Sequence, residues 1–321
     1  MNKIGLKVRN AFEKRFGKSP SFLVRAPGRV NLIGEHTDYS GGFVLPIALE
    51  EAIWIAFRPR NDKTLIIHSL DYNDSIELNI HELQLHLKGW HKYLHGIIRV
   101  LMDDNWELSG WEGVISGNVP QGAGLSSSAA LEIALIRVFS KISENSWQPK
   151  LSAKLAQLAE SKWVGVNCGI MDQIISACGV SGKALLIDCR SLKIQQIPLS
   201  NDLRVIILDT KTRRGLVDSL YNKRHSECKE ASKILGKSLL RDITISDLYS
   251  ESDRINPILF RRAKHVITEN DRVLEAVKAM LARDHQHLGK LLQDSHKSLR
   301  DDFEVSNSAL NEMVQCANNA P

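Results

Sequence analysis

The segment Asn118–Ser128, NVPQGAGLSSS, combines two glycines and three serine hydroxyls between two predicted elements. A strand is predicted before it at Val114–Ser116, and a helix after it at Ala129–Phe139. Free backbone N–H groups and the dipole at a helix start favour an anion, and Gly122 and Gly124 let a phosphate approach the backbone closely. A P-loop would need a lysine, which this segment lacks, so a triphosphate would depend on backbone N–H groups, hydroxyls and Mg²⁺. The alternative is a flexible connector whose serines cap the helix.

The segment Arg25–Gly42 brings arginine, glutamate, histidine and aspartate together in a glycine-rich turn between two predicted strands. Glu35 and Asp38 can accept hydrogen bonds from adjacent hydroxyls in a fixed geometry, as recognition of a sugar requires. A buried acceptor left unpaired costs about 1–3 kcal/mol, and a penalty of this kind rejects an epimer. Polar residues in a turn need no function in general, which is the alternative interpretation.

A third segment, Gly165–Gln173, carries Asp172 where the apolar spacing that follows predicts the start of a helix. A carboxylate at a helix N-terminus is stabilised by the helix dipole. An ordinary N-cap aspartate would account for a carboxylate at this position as well.

The elements that must position these segments alternate between short strands and helices in the first half of the chain, which favours a mixed α/β layer structure. The predicted strands are Ser21–Val24, Phe43–Ala48, Ala52–Phe57, Thr64–His68, Ser75–Asn79, Ala184–Asp188 and Val205–Asp209. The predicted helices are Met1–Lys18, Leu151–Trp163, Gly215–Leu235, Pro257–Asp284, His287–Arg300 and Asn307–Ala317. The change to a mostly helical pattern predicts a domain boundary near residues 190–205.

Composition excludes several classes of protein. The 321 residues, 43% hydrophobic and 25% charged, can bury a sizeable core and predict two domains. The net charge of +5 is spread along the chain without aromatic-interleaved basic patches, so nucleic acid is not an expected partner. No apolar run reaches the roughly 20 residues of a membrane span, and the five cysteines show no C-x-x-C spacing. We expect a cytoplasmic, reduced protein that acts as a monomer without a membrane partner.

The motifs of this sequence resemble those of one enzyme family over nearly its whole length. Residues 120–130, P-x-G-x-G-L-S-S-S-A-A, resemble the second signature of the GHMP small-molecule kinases. The segment Arg25–Gly42 resembles the galactokinase signature, with Ser40 where many members carry Asn. Residues 168–173, C-G-I-M-D-Q, resemble a third galactokinase segment. The sequence is therefore similar to a galactokinase.

The resemblance implies a role for individual residues, two of which would otherwise be interpreted as surface positions: Glu160 as a solvated helix residue and Tyr221 as an exposed aromatic. The implied catalytic residues are Asp172 and Arg29. The implied substrate-binding residues are Glu35, His36, Thr37, Asp38, Gly169 and Tyr221. The implied ATP-binding residues are Ser69, Gly122, Ala123, Gly124, Leu125, Ser126, Ser127 and Ser128, and the implied Mg²⁺ ligands are Ser128 and Glu160.

The implied reaction is ATP-dependent phosphorylation of the anomeric hydroxyl of D-galactose, with Asp172 as base or orienting group. The implied fold is the α+β fold of GHMP kinases. Residues 1–195 would form an N-terminal mixed α/β domain, ribosomal-protein-like, with the sugar and ATP motifs. Residues 196–321 would form a ferredoxin-like C-terminal α+β domain. The third family signature, G-A-R-x-T-G-x-G-F-G-G, has no counterpart here, so the second domain is expected to be incomplete.

Two rival interpretations remain open from the sequence. The chain could be another GHMP sugar kinase, acting on N-acetylgalactosamine or arabinose, because the volume of the sugar pocket is not evident from sequence. It could also be a non-catalytic sensor of galactose and ATP, or an inactive fragment. The missing third signature favours the second interpretation, whereas the intact residues 126–130 and Asp172 favour a kinase.

Overall fold

The computed structural model describes residues 3–82, 88–143, 145–166, 168–212 and 217–320, with the backbone alone for residues 217–219. The chain forms two compact units, each built from two stretches of sequence. The first unit comprises Met1–Arg29 and Ala48–Gly179, and the second comprises Val30–Ile47 and Val180–Pro321. The sequence-based domains 1–195 and 196–321 are continuous stretches, and that division stays a prediction.

The helices and strands follow one another along the chain with short connections. The strands are β1 (Phe22–Asn31), β2 (Phe43–Val44), β3 (Pro46–Pro59), β4 (Thr64–Ser69), β5 (Asp74–Asn79), β6 (Trp111–Gly117), β7 (Lys183–Asp188) and β8 (Lys193–Pro198). The helices are α1 (Lys3–Phe16), α2 (His91–Asp103), α3 (Ser127–Ile142), α4 (Pro149–Ala159), α5 (Met171–Cys178), α6 (Val217–Ile234), α7 (Ile245–Ser250), α8 (Pro257–Ala282), α9 (His285–Asp301) and α10 (Ser308–Asn318).

The first unit packs helices on both faces of its sheet. Strand β6 is antiparallel to β3 and parallel to β4, which in turn pairs with β5, while β1 pairs with β3. Because successive side chains of a strand point to opposite faces, Val114 contacts the cluster around Phe12 of α1, and Ile115 joins the cluster formed with α2, α3 and α4. Strand β6 is consequently buried along nearly its whole length, and it leads directly into the glycine-rich loop.

The second unit is organised around the 26-residue helix α8. Its first half packs Leu259 and Ala263 against α6, α7 and Phe303, and its second half packs Val273 against residues of β2, β3, β7 and β8. Strand β7 is antiparallel to β2 on one side and to β8 on the other. One helix therefore supports both the early segment 30–47 and the C-terminal helices.

Most of the predicted elements are confirmed, with three corrections. The predicted strands Phe43–Ala48 and Ala52–Phe57 are divided at residue 45 instead, into β2 and the longer β3. The strand predicted at Val205–Asp209 is wrong, because this run is irregular and its Ile206 is 78% exposed. Helices α2 and α7 and strand β8 were not predicted from the sequence. Residues 215 and 216 of the predicted helix Gly215–Leu235 lie outside the described residues.

Reduced cysteines and the lack of a membrane span were also expected from the sequence. All five cysteines are free thiols. Within the part of the chain that the structure describes, no helix is long and apolar enough to cross a membrane.

Candidate active site

The glycine-rich loop joins the end of β6 at Gly117 to the start of α3 at Ser127. Gly122 and Gly124 both adopt positive φ, at 67° and 74°, which a residue with a side chain adopts only with strain. Ser126 also has a left-handed backbone, with φ at 58°, and its side chain does not cap α3. The capping interpretation of the serines therefore does not describe Ser126, and its hydroxyl is used elsewhere.

The carboxylate of Asp172 is held by two groups of the first unit. Arg29 donates from Nε to Asp172 Oδ1 at 2.8 Å and approaches the same oxygen with Nη2 at 2.7 Å. The hydroxyl of Ser126 donates to the other oxygen, Oδ2. Arg29 also donates from Nη1 to the carbonyl of Gly124, so the guanidinium joins the carboxylate to the loop. The side chain of Asp172 keeps 28% of its surface exposed, so the group remains accessible.

Strand β1 packs closely against the same loop, and this contact holds Arg29 beside it. The backbone N–H of Arg29 donates to the carbonyl of Leu125 at 3.1 Å. A Cβ at Gly28 would lie 2.8 Å from that carbonyl oxygen and 2.9 Å from Val119 Cγ1, which is closer than atoms normally approach. Glycine at position 28 thus permits the spacing that lets Arg29 reach both Gly124 and Asp172.

A second carboxylate of the first unit, Glu160, is buried behind Asp172. It lies in the five-residue π-helical segment Glu160–Val164 that follows α4, and only 6% of it is exposed. The Ser128 hydroxyl lies close enough to its carboxylate to lower the pKa, and Cys168 Sγ donates to its Oε2 at 3.2 Å. Burial raises the pKa of Glu160, and burial together with the Glu160 charge raises the pKa of Cys168, which keeps Cys168 a thiol. Cys168 is therefore a thiol that packs beside Glu160 and donates a hydrogen bond to it.

The donor set of Ser128 and Glu160 fits a small hard cation. A hydroxyl and one carboxylate are oxygen ligands, and Mg²⁺ commonly takes one or two protein carboxylates together with water and substrate phosphate. Among the described residues there is no cluster of three or more His, Cys, Asp or Glu side chains arranged for a metal ion. The arrangement suits a metal that arrives with a nucleotide better than one caged by protein alone.

The predicted sugar-binding turn belongs to the second unit, and its side chains are tied down locally. Glu35 Oε1 accepts from Asn31 Nδ2 at 3.0 Å, and His36 Nδ1 lies 3.0 Å from the Tyr39 hydroxyl. Asp38 Oδ1 accepts from the backbone N–H of Tyr39 at 3.0 Å. The Thr37 hydroxyl is fully buried and contacts the carbonyls of residues 34 and 43, so it closes the turn.

Helix α8 holds this turn through buried polar groups that the sequence analysis did not single out. Glu269 Oε1 accepts from the backbone N–H groups of Gly34 at 2.9 Å and Glu35 at 3.3 Å. His265 Nε2 lies 3.0 Å from the Glu35 carbonyl, and Asn270 Oδ1 accepts from a backbone N–H of β2 at 2.8 Å. In the sequence these residues lie in the segment 265–270, H-V-I-T-E-N, where polar side chains interrupt an otherwise apolar stretch of a predicted helix.

Tyr221 of α6 lies against the same turn. Its ring centroid is 5.5 Å from that of His36 and 5.4 Å from that of Tyr39. The structure therefore brings together, within the second unit, Tyr221 and the residues Glu35 to Asp38. Within the first unit it brings together Arg29, Asp172 and the loop 122–128.

Two other predicted residues lie in the first unit. Ser69 is buried at the end of β4, where it pairs with Ile115 of β6. Gly169 lies in the connection that leads into α5. The assignments of Ser69 to the nucleotide and Gly169 to the substrate stay predictions.

Comparison with known proteins identifies the family of this chain. A family model for the N-terminal domain of GHMP kinases matches residues 92–180, and a model for the galactokinase galactose-binding signature matches residues 10–59. The galactokinase of Chloroflexus aggregans is 43% identical over 317 residues, which cover 97% of this chain and 81% of that protein. The galactokinase of Chloroflexus aurantiacus is 42% identical with the same coverage.

Solved structures agree with the sequence matches. The crystal structure of Lactococcus lactis galactokinase complexed with galactose has a TM-score of 0.93 and 32% identity, covering 98% of this chain and 84% of that one. The mevalonate kinase of Methanococcus jannaschii has a TM-score of 0.61 at 20% identity, which shows a shared fold alone. The glycine-rich turn between β6 and α3, set in this α+β topology, is thus that of the GHMP kinases, as the sequence predicted. Because the galactokinase of Chloroflexus aggregans is 43% identical over 97% of this chain, the chain belongs to the galactokinase family.

Proposed function

We propose that this protein is a galactokinase that transfers the γ-phosphoryl group of ATP to the anomeric hydroxyl of D-galactose, giving galactose 1-phosphate and ADP. The observation that carries the proposal is the accessible carboxylate of Asp172, held between Arg29 and Ser126 beside the glycine-rich loop. In this arrangement Asp172 would serve as a proton acceptor and Arg29 as a fixed cation beside the predicted phosphate site.

Asp172 would orient the anomeric hydroxyl and accept its proton as the new P–O bond forms and the bond to ADP breaks. Phosphoryl transfer has a loose transition state, so most of the rate comes from positioning and charge stabilisation. Arg29 would contribute both, since its guanidinium fixes the carboxylate and lies against the loop carbonyl of Gly124. Ser126 would hold the second oxygen of Asp172 in place.

The nucleotide phosphates would bind to the backbone N–H groups of the loop and to its serine hydroxyls. Gly122, Ala123, Gly124, Leu125 and Ser126 would supply main-chain N–H groups, since the Ser126 hydroxyl already donates to Asp172. Ser127 and Ser128 would supply hydroxyls, and Ser69 would contact the nucleotide. Ser128 and Glu160 would hold Mg²⁺, which supplies neutralising charge to the phosphate oxygens when bound.

Galactose would be recognised by the turn of the second unit. Glu35 and Asp38 would accept hydrogen bonds from sugar hydroxyls, while His36 and Tyr221 would contribute polar and ring contacts. Thr37 supports this turn through its buried hydroxyl, and Thr37 and Gly169 would also contact the substrate.

The reaction is tested by galactose-dependent release of ADP from ATP, with ³¹P NMR of the product. Galactose, N-acetylgalactosamine, arabinose and glucose are compared at equal concentration, and we expect turnover with galactose and a phosphorus signal from galactose 1-phosphate. Faster turnover of N-acetylgalactosamine or arabinose would replace galactose by that sugar. Binding of galactose and ATP without any ADP release would identify a sensor instead of an enzyme.

We further infer that the enzyme acts in the cytoplasm as a monomer. The five free thiols support a reducing compartment. Sedimentation velocity tests the second part, where a single species of about 36 kDa is expected from the mass of the chain. A dimer stable at micromolar concentration would contradict it.

A further inference from the structure

A buried side-chain amide bridges two carboxylates behind the proposed catalytic residue. Gln173 follows Asp172 in α5 and has 0% of its surface exposed. Its Nε2 donates to Glu160 Oε2 at 2.7 Å and to Glu132 Oε2 at 3.3 Å. Glu132 lies in α3, and it too has 0% of its surface exposed.

This network is costly to keep in a protein interior. Burial and the charge of Glu160 raise the pKa of Glu132, and the amide of Gln173 acts in the opposite direction. The oxygens Glu132 Oε1 and Gln173 Oε1 are buried without a hydrogen-bond partner among the described residues. Unpaired buried polar atoms of this kind destabilise a fold by about 1–3 kcal/mol each, so packing alone is a poor reason for the pair.

The geometry of the bridge fixes the orientation of Glu160. Gln173 and Cys168 both donate to the same oxygen, Oε2. A carboxylate held through one oxygen cannot rotate freely, so its second oxygen faces away from Gln173. In metal sites, partners that orient a ligand in this way typically change metal affinity or activity by 10–100-fold when they are removed.

We propose that Gln173 is a positioning residue that orients the carboxylate of Glu160 for the nucleotide-bound cation, and that Glu132 acts only by anchoring Gln173. The inference rests on the proposed function for the assignment of Glu160 to the cation. It assigns α5 two tasks in adjacent residues: Asp172 faces Arg29 and Ser126, and Gln173 fixes the carboxylate behind them.

The test is binding of Mn²⁺ in the presence of ADP, measured from the electron paramagnetic resonance signal of free Mn²⁺. Gln173→Leu should weaken this affinity by at least about 10-fold. Its galactose affinity, measured by calorimetry, should stay within about twofold of wild type, because the amide donates its hydrogen bonds to Glu160 and Glu132. Equal Mn²⁺ affinity in Gln173→Leu and wild type would overturn the proposal.

Variants of Glu132 separate positioning from a purely structural role. Glu132→Gln keeps an oxygen that accepts from Gln173 and should preserve Mn²⁺ affinity, whereas Glu132→Leu should lose it. The double variant Glu132→Leu with Gln173→Leu should bind no more weakly than Gln173→Leu alone, because both changes act through one contact. Additive losses would show that Glu132 acts independently and would contradict its anchoring role.

Two controls keep the outcome interpretable. Ser140→Ala removes a different hydrogen bond of α3, that of Ser140 Oγ to the Asn145 carbonyl, and should leave Mn²⁺ affinity unchanged.

If Gln173→Leu does not fold, Gln173→Asn replaces it, since the shorter side chain keeps the amide but cannot span both carboxylates. Glu160→Ala must itself weaken Mn²⁺ binding. If it does not, the cation assignment and this inference fail together, while galactose phosphorylation remains open to its own assay.

Discussion

From its position in the sequence, Asp172 could be either an N-cap aspartate or a catalytic residue, and its contacts favour the second. It lies in the first turn of α5, where an aspartate often caps the helix, but it does not occupy the cap position. Both of its carboxylate oxygens accept from outside α5, one from Arg29 and one from Ser126. A helix-capping residue would use those oxygens on its own backbone, so the contacts favour a chemical role.

Asp172→Asn should lower turnover by at least about 100-fold, since general-base help contributes typically 10²–10⁴-fold. The affinity for ATP should change little, because the loop 122–128 keeps its backbone. Steady-state kinetics with ATP and galactose measure both quantities. Asp103→Asn is the matched control, as Asp103 is an exposed carboxylate of the same unit that pairs with Lys162. Full turnover in Asp172→Asn would refute the base assignment.

Gly28 controls the approach of β1 to the glycine-rich loop. Gly28→Ala should force its Cβ against the Leu125 carbonyl, which lies only 2.8 Å away, and overpacking of this kind costs about 1–3 kcal/mol. We expect a higher KM for ATP and a lower free energy of unfolding. Gly289→Ala is the control, because a Cβ there meets nothing within 4 Å. Equal effects of the two substitutions would mean that the close approach at Gly28 has no consequence.

At the scale of elements, hydrophobic periodicity predicted most helices and strands but not the contacts that make the site. The helical spacing of apolar residues in Pro257–Asp284 predicted a helix, and the structure has helix α8 there. The run Val205–Asp209 has the composition of a strand, yet strands form only where partner hydrogen bonds exist, and here the run is irregular. The contacts of α8 with residues 34 and 35 join positions more than 200 apart, which no local pattern encodes.

Helix α8 should control the sugar turn through Glu269. Its carboxylate accepts from the backbone of Gly34 and Glu35 and from Ser295 at 2.7 Å, and it pairs with Arg272 at 2.8 Å. Glu269→Ala should lower the free energy of unfolding by about 3–5 kcal/mol, because it leaves several buried donors unpaired. The KM for galactose should rise, as the turn loses its support.

Urea denaturation and galactose kinetics measure these two effects of Glu269→Ala. Glu275→Ala is the control on the same helix, since Glu275 pairs with Lys278 at the surface and its loss should change neither quantity. An unchanged KM for galactose in a folded Glu269→Ala variant would show that the turn does not depend on α8.

At the scale of the whole molecule, the sequence predicted a two-part protein and the structure forms two compact units. The segment 30–47 belongs to the second unit because Ile33 and Leu45 pack against Val273 and Ala276 of α8. Composition and motif order cannot predict that an early segment packs with a late helix. The resemblance to a family implied that Tyr221 binds the substrate, and that role stays a prediction.

The stability of the molecule should depend on pH through His265. Its imidazole is fully buried between the Glu35 carbonyl and the Ser298 hydroxyl, and burial lowers its pKa. The charges of Glu269 and Asp302 oppose that shift and the charge of Arg272 adds to it. Above about pH 6.5 the ring is neutral in both the folded and unfolded states and has no effect.

As the pH falls below about 6.5, the unfolded chain takes up a proton that folded His265 still excludes, so stability falls toward acid. His265→Gln keeps a donor for the Glu35 carbonyl and removes this proton uptake. Urea denaturation at several pH values between 5 and 8 should therefore give a shallower loss in the variant, by up to about 1.4 kcal/mol per pH unit. Replacement of the exposed His81 by Gln should leave the wild-type profile. Parallel profiles for His265→Gln and wild type would assign the acid sensitivity to other groups, such as His95 and His225, whose pKa values burial also lowers.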